Sequence, residues 1–408
     1  MKKVVIVGGG AAGFFCAINL ARLNPSLKVC LLEKTDKLLS KVKISGGGRC
    51  NVTHYEFVTR ELLKNYPRGK NELPSLFSRF AVGDTISWFA ERGVDLHAEE
   101  DGRMFPSSNN SQTIIDCFLA EAKKYKVEIV LHADVKNISQ NENGSFKLLL
   151  GNEKEIEANK VVITCGGFPK EKSYDWLTAL GHTIVKPVPS LFTFNLKEKE
   201  ITPLMGLSVP DASIKILNPK MEYRGPMLIT HWGFSGPAIL KLSAFAAREL
   251  FSQNYEYKVR VKWLAEMDDN DLKESIDEWR QANPKQQISS HNPFGFAKRL
   301  WDYFLQKASI KPEKILAELA KKDINKLIEV LMNDQYDCAG KTTYKEEFVT
   351  SGGIELSEIE FRTMESRLVK GLYFAGEVLN IDGITGGFNF QAAWSSSYVA
   401  AESIAKDN

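Results

Sequence analysis

Val4-Val5-Ile6-Val7-Gly8-Gly9-Gly10-Ala11-Ala12-Gly13 is the stretch whose reading decides the fold. Its first four residues are uncharged and β-branched, the pattern of a strand buried on both faces of a parallel sheet. The next six fit G-x-G-x-x-G. Phe14 to Leu23 then reads as a helix that stops at Asn24-Pro25, and Lys28-Val29-Cys30-Leu31-Leu32 as a second strand ending in Glu33. Strand, glycine turn, helix, strand and terminal acid, in that order, form a cradle for a dinucleotide. Gly8 permits the tight turn, Gly10 leaves room for a pyrophosphate against the backbone, and Gly13 lets helix and strand approach closely. The helix N-terminus offers free N–H groups and a partial positive charge. Glu33, twenty residues past Gly13, is placed to accept hydrogen bonds from ribose hydroxyls. The motif alone does not separate one dinucleotide from another.

The 408-residue chain exceeds one ordinary core and implies about two or three domains. A formal charge of +2 leaves no electrostatic footprint for nucleic acid or an anionic membrane. Lys2-Lys3 and the uncharged run from Val4 to Ala21 resemble a secretory signal, but the glycines at 8, 9, 10 and 13 divide that run into a strand and a helix. No other segment is long and apolar enough to span a bilayer. Cys16, Cys30, Cys50, Cys117, Cys165 and Cys338 form no CxxC pair, so no metal site is expected, and scattered thiols suit a cytoplasmic protein. No nucleic-acid or membrane partner is expected, and the oligomeric state stays open.

Thr113 to Tyr125 carries a helical apolar stripe. Val127 to Leu131, Asp134 to Ile138, Phe146 to Leu150 and Val161 to Cys165 read as strands, the last ending at Gly166-Gly167. From about Pro187 the style changes. Leu191 to Leu196, Ala212 to Leu217, Met227 to Thr230 and Tyr255 to Trp263 are strand-like, with Pro and Gly turns between them. Asp268 to about Asn333 is helical by pattern and rich in charge. Leu372-Tyr373-Phe374-Ala375 then restores the opening style, followed by Gly376-Glu377, a glycine-rich loop through Asp382, Gly383, Gly386 and Gly387, and an apolar helix from about Phe390 to Ile404. The expected domains are 1–187 and 358–408 for the dinucleotide domain, 188–265 and 337–357 for an inserted β domain, and 266–336 for a helical subdomain.

GGGAAG at 8–13, SGGGRCN at 45–51, GFSGPAIL at 233–240 and GLYFAGEVLNIDGITGGFNFQAAWSS at 371–396 carry a resemblance, supported by TSGGIEL at 350–356 and TMESRLV at 363–369. With these blocks the chain resembles the aminoacetone-oxidase-like, or BaiN-like, family of FAD-dependent flavoproteins. The resemblance implies an α/β fold: a Rossmann-type FAD-binding domain, two-dinucleotide-binding-like, with an inserted β-barrel-like domain and a helical subdomain. It implies an extended FAD, its adenine end near Glu33 and its flavin near 45–51 and 386–391. Cofactor contacts are expected at Gly8, Gly10, Ala11, Ala12, Gly13, Glu33, Lys34, Ser45, Gly46, Arg49, Cys50, Asn51, Val135, Cys165, Gly166, Gly376, Glu377, Asp382, Gly386, Gly387, Phe388, Asn389 and Gln391. The chain departs from the family after Gly167, where Phe168 to Tyr174 is short for the glycine-rich loop usual there.

Flavin chemistry needs a shaped, dry site and electrostatic tuning more than catalytic side chains. The N-terminus of a helix beginning near Gly387 would stabilise negative charge on the reduced flavin. Arg49 would neutralise phosphate charge and Asp382 accept hydroxyl hydrogen bonds. Cys50 invites a redox role, yet without a resolving partner nearby in sequence it reads better as a packing residue. His231 is the candidate acid/base, weighed against a structural histidine. No second GxGxxG follows a strand, so NAD(P)H is expected only as a transient electron donor, with oxygen as the other available redox partner. The leading reading is an FAD-dependent oxidoreductase acting on a small organic substrate, an amine or an enone. The alternatives are a flavin-binding sensor or scaffold, an FAD-dependent RNA-modifying enzyme, and a plain NAD-binding dehydrogenase.

Overall fold

The computed structural model describes residues 2–342 and 349–407, which divide into two compact units, Met1–Ser190 with Tyr344–Asn408, and Leu191–Thr343. The first unit is built on a seven-stranded sheet in the spatial order Ile359–Glu360, Glu365–Ser366, Leu372–Phe374, Lys160–Ile163, Lys3–Val7, Lys28–Leu32, Glu128–Val130. The five strands from Leu372–Phe374 to Glu128–Val130 run parallel, with Val5 lying between Cys30 on one side and Val161 on the other. The chain leaves Lys3–Val7 for one neighbour and later returns to the other. The C-terminal end of this strand is therefore the switch point at which open α/β sheets bind ligands.

Helix Ala11–Leu23 buries an unbroken run from Ala12 to Ala21. A helix that is apolar all round must be covered all round, and the C-terminal helix Phe388–Lys406 supplies part of the cover. Phe15 lies 5.2 Å from Trp394 between ring centroids, and Phe118 lies 5.6 Å from it. The domain closes only when the two ends of the chain meet. An antiparallel meander, Val135–Gln140, Phe146–Leu150 and Glu155–Ala158, and a small sheet of Thr53–His54, Arg103–Pro106 and Leu96–Ala98 complete the strands.

The second unit is a closed six-stranded barrel of Thr193–Leu196, Gly233–Ser235, Met221–Ile229, Ser208–Ile216, Glu256–Lys262 and Asp334–Thr342. Along Glu256–Lys262 the residues Tyr257, Val259 and Val261 point inward, the period of two that a barrel wall requires. Helices Asp269–Ala282, Lys298–Lys307 and Lys321–Met332 share one apolar core with this barrel. Trp263 of the barrel lies 5.1 Å from Phe304 of the second of these helices, and buried Asp334 accepts hydrogen bonds from Trp263, Tyr336 and Lys307. The segment 266–336 is thus part of the barrel unit and not a subdomain with its own core. The expected return segment 337–357 is also divided. Residues up to 342 are barrel, 343–348 lie outside the described residues, and Thr350–Ile354 pairs antiparallel with Ile184–Pro189 in the first unit. A Cβ on Gly353 would stand 2.3 Å from the Val378 carbonyl oxygen, so only glycine lets that strand approach the Val378 backbone.

His182 ties the sheet's antiparallel edge together. Its Nδ1 lies 3.0 Å from a Glu358 oxygen and its Nε2 lies 3.0 Å from Ser366 Oγ. A carboxylate only accepts, so Nδ1 carries the proton and Nε2 accepts from the serine hydroxyl. Burial, opposed by Glu358, holds the imidazole below its ordinary pKa. The folded protein therefore keeps His182 neutral at a pH where the unfolded chain protonates it, and stability drops as pH falls through about 6.5. Denaturant unfolding at about pH 7.5 and about pH 5.5 checks this. The loss between the two should be smaller in His182→Gln than in the parent.

Candidate functional site: a backbone cradle at the sheet's switch point

Three glycine-rich segments of the first unit carry most of the sequence-predicted residues. The first is the opening turn. Gly8 has φ +118°, and a Cβ there would stand 2.6 Å from the Thr164 carbonyl oxygen. At Gly13 a Cβ would stand 1.9 Å from the Gly8 oxygen, so helix and strand touch through missing side chains. At Gly10 a Cβ would meet nothing within 4 Å. Phe14 is the first residue to donate back to Gly10, which leaves the N–H groups of Ala11, Ala12 and Gly13 without helical acceptors beside that open face. Glu33 braces the turn: one oxygen accepts from Gly9 N at 3.0 Å, the other from the Thr35 N–H and hydroxyl at 2.9 Å. Both of its carboxylate oxygens are thus engaged with protein donors. Lys34 Nζ sits 5.4 Å above the Phe168 ring, and the Phe168 N–H donates to Tyr174 Oη at 2.8 Å, closing the short loop after Gly167.

Around this turn the fold gathers Cys165, Gly166, Gly376 and Glu377. A Cβ on Gly376 would stand 2.7 Å from the Ala12 Cβ. Glu377 pairs with Lys41 and accepts from Thr350 N at 3.0 Å. Burial pushes the Cys165 thiol up to about 12, which keeps it protonated. Val135 opens the meander two residues after Ala133, whose N–H donates to the Glu33 carbonyl at 2.8 Å.

The second segment, 45–51, winds through left-handed backbone at Gly46, Gly47, Gly48 and Cys50. Cβ atoms on Gly47 and Gly48 would meet nothing within 4 Å, whereas one on Gly46 would stand 2.8 Å from the Phe105 ring. Ser45 is turned inward, its hydroxyl donating to Val42 O at 3.0 Å. Arg49 differs from expectation. Its guanidinium lies 3.9 Å over the Phe105 ring and bonds Glu99 at 2.6 Å, so its charge is already balanced within the protein. Cys50 is fully buried, its thiol pushed up to about 12 by burial, which agrees with a packing role.

The third segment, 382–391, is joined to the second. With its amide oriented to suit its neighbours, Asn51 accepts from Gly387 N at 3.1 Å and donates to Thr53 O at 3.0 Å. Gly387 has φ +94°, and a Cβ there would stand 2.4 Å from the Thr53 oxygen. His54 Nδ1 lies 3.0 Å from Gly386 O, and its ring stacks on Phe388 at 4.5 Å. Tyr66 donates to Phe388 O at 2.7 Å, and the Asn389 amide clasps both the N–H and the carbonyl of Gly383 at 2.8 Å. The N–H groups of Phe388, Asn389 and Phe390 head the helix and have no acceptor within it. Two expected contacts turn out to be braces. Gln391 is fully buried and accepts from Thr53 and Thr85 hydroxyls at 2.6 and 2.9 Å. Asp382, also fully buried, is bound by Arg68 through both oxygens and by the Ser190 hydroxyl. Their partners lie 338 and 314 residues away for Thr53 and Arg68, beyond any local sequence signal. His54, three residues past Asn51, was within reach of one. His231 belongs to the second unit, exposed on the turn between two of its barrel strands.

Comparison with known proteins supports the Rossmann reading of the fold. The family model described as HI0933-like protein Rossmann domain matches residues 2–403. A ribosomal RNA dihydrouridine synthase of Haemophilus influenzae is 31% identical over 412 residues, covering 98% of each chain. A 3-dehydro-bile acid delta(4,6)-reductase of Clostridium scindens is 26% identical over 422 residues, covering 100% of each. Among solved structures, a 3-ketosteroid-delta4-(5alpha)-dehydrogenase of Rhodococcus jostii RHA1 shares the fold, with a TM-score of 0.51 at 14% identity over 99% of this chain and 97% of that one.

The glycines yield a paired prediction. Gly10→Ala changes an open helix cap and should cost no more than about 1 kcal/mol, yet it fills the face where a diphosphate would lie. Gly13→Ala drives a Cβ into the Gly8 carbonyl and should destabilise by more than that. Thermal unfolding of the ligand-free proteins, set beside dinucleotide retention on desalting, separates the two: Gly10→Ala should lose ligand while keeping its melting temperature.

Proposed function

The chain belongs to the family of HI0933-like Rossmann-domain proteins and is an FAD-dependent oxidoreductase; from that premise we propose that it reduces a carbon–carbon double bond conjugated to a carbonyl, with uracil bases of ribosomal RNA as its substrate. The names of both full-length relatives describe that chemistry. Dihydrouridine is uridine with its C5–C6 bond saturated, and a 3-dehydro delta(4,6) bile acid carries double bonds in line with a ketone. The RNA reading is placed ahead of the small enone because the dihydrouridine synthase is the more similar at 31% against 26%.

The observation that carries the FAD reading is the open face at Gly10 flanked by three N–H groups without acceptors. Backbone donors at a helix N-terminus fit a diphosphate, and the fold brings Gly166, Gly376 and Glu377 to the same edge. FAD, when bound, supplies two-electron hydride chemistry. Ala11, Ala12 and Gly13 would hold its diphosphate, Glu33 and Val135 would flank its adenosine end, and Glu377 would take up sugar or ribityl hydroxyls. The head of helix Phe388–Lys406 would stabilise negative charge on the ring. The Asn51, His54, Tyr66 and Asn389 contacts fix that helix head before any ligand arrives, the preorganisation that makes such donors effective.

Reduction adds a hydride to the alkene carbon remote from the carbonyl and a proton to the carbon beside it. NAD(P)H is assigned as the reductant that restores the cofactor. The proton is drawn from solvent.

The test is anaerobic. FAD-loaded protein reduced by NAD(P)H is mixed with a ribosomal RNA transcript, and the RNA is digested and its nucleosides weighed. Dihydrouridine, with reoxidation of the flavin absorbance, is the expected result. Flavin that stays reduced with RNA but is reoxidised by a conjugated steroid ketone would transfer the activity to small enones.

A further inference from the structure

Three of the exposed large apolar side chains crowd into four consecutive residues: Tyr55, Phe57 and Val58 are 55%, 54% and 58% exposed. The exposure belongs to an ordered segment. The Tyr55 N–H donates to Gly102 O at 2.7 Å, Glu56 N donates to His54 O at 2.8 Å, and the Glu56 carboxylate turns back to accept from Val58 N at 2.8 Å. The two rings are held edge to face, 4.7 Å between centroids at 84°. Exposed aromatic patches of this kind mark interaction sites. This one begins at the residue after His54, whose ring bonds Gly386 O and stacks on Phe388 at the head of the C-terminal helix.

An exposed cation follows the patch in sequence. Arg60, two residues past Val58 in helix Thr59–Leu63, is exposed and holds no ion pair among the described residues, while Lys64 is paired with Glu61 at 2.6 Å. Paired rings followed within two residues of Val58 by an uncommitted cation suit a single-stranded nucleic acid, with bases stacked on rings and a phosphate beside the cation. A chain whose formal charge is only +2 gains little from general attraction to RNA, so stacking has to supply a large share of the affinity.

Resting on the RNA reading above, we propose that Tyr55 and Phe57 form a stacking platform for an unpaired base of the substrate RNA neighbouring the uracil to be reduced, with Arg60 on its phosphate. Reaching a base inside a duplex requires unstacking it, and a platform that captures the adjacent base offsets part of that cost. The platform also separates an RNA uracil from a free enone, because only the former brings a neighbouring base.

Binding of FAD-loaded protein to a fluorescent single-stranded RNA containing uridine tests this without relying on turnover. The Tyr55→Ala/Phe57→Ala double variant should bind at least about tenfold more weakly, the loss of about one stacked base. Phe57→Trp should retain affinity and Phe57→Leu should not. Unchanged affinity in the double variant, or a Leu variant as good as the parent, overturns the platform. So does a parent that dimerises through this patch, the dimer dissociating in the double variant while RNA affinity holds. Dihydrouridine formation is scored separately. Platform-dependent binding without dihydrouridine supports the platform and overturns the substrate reading, whereas dihydrouridine formed at an unchanged KM by the double variant does the reverse.

Discussion

Everything in the first unit depends on one contact made of absent atoms, the meeting of Gly13 with the Gly8 carbonyl. A Cβ at Gly13 would stand 1.9 Å from that oxygen, so the helix Ala11–Leu23 lies against its strand closer than any side chain permits. That closeness aims the helix N-terminus at the end of the central strand. It also buries the helix on every side, with Phe14, Phe15, Ile18 and Leu20 all inaccessible to solvent. The cover includes Trp394 and its neighbours at the far end of the chain, and the sheet needs Leu372–Phe374 beside Lys160–Ile163. Strands whose paired residues stand 211 apart, Val161 with Leu372 (372 − 161), must meet before the cradle exists. Such topologies carry a loop-closure cost that is met before the contacts repay it.

What the sequence disclosed follows from this constraint. A central parallel strand has no wet face, so it reads as an unbroken apolar run, and the turn after it must be glycine for steric reasons. Both signals are local. The barrel strands were partly legible by alternation, but Met221–Ile229 opens with Glu222 and Arg224 on its outer face and interrupts itself with Gly225-Pro226, which hid its first half. Thr53–His54 and Leu96–Ala98 are too short to show any period. The separate helical subdomain was an inference from charge. Most of the helices' charge lies on their outer faces, and Leu272, Ile276, Trp301 and Phe304 belong to the core shared with the barrel.

The polar residues of the site were harder to assign, for a different reason. Arg49, Asp382 and Gln391 sit inside motifs rich in glycine, where a polar side chain serves equally to touch a ligand or to brace the loop. The answer lies in the partner. Glu99, Arg68 and Thr53 respectively claim these side chains, and none of the three pairings leaves a trace in local spacing. Glycine roles can be read from one segment, whereas the role of a buried carboxylate requires its counter-ion.

Taken together, the side chains around the cradle are largely committed to one another, and the groups left open are backbone N–H donors at two helix heads. Donors of that kind recognise a diphosphate or a negatively charged ring edge without regard to what the cofactor will later reduce. A site so constructed fixes the redox chemistry and leaves the choice of acceptor to surfaces outside the glycine turns. Discrimination between acceptors of similar electronics then has to come from parts of the acceptor remote from the reacting bond, since the conjugated alkene of a uracil and that of an enone ask the same of the flavin-facing backbone. The solvent-facing rings at 55 and 57, the first of them one residue past the side chain that bonds Gly386, stand where such a remote contact would act on the same loop that positions the helix head.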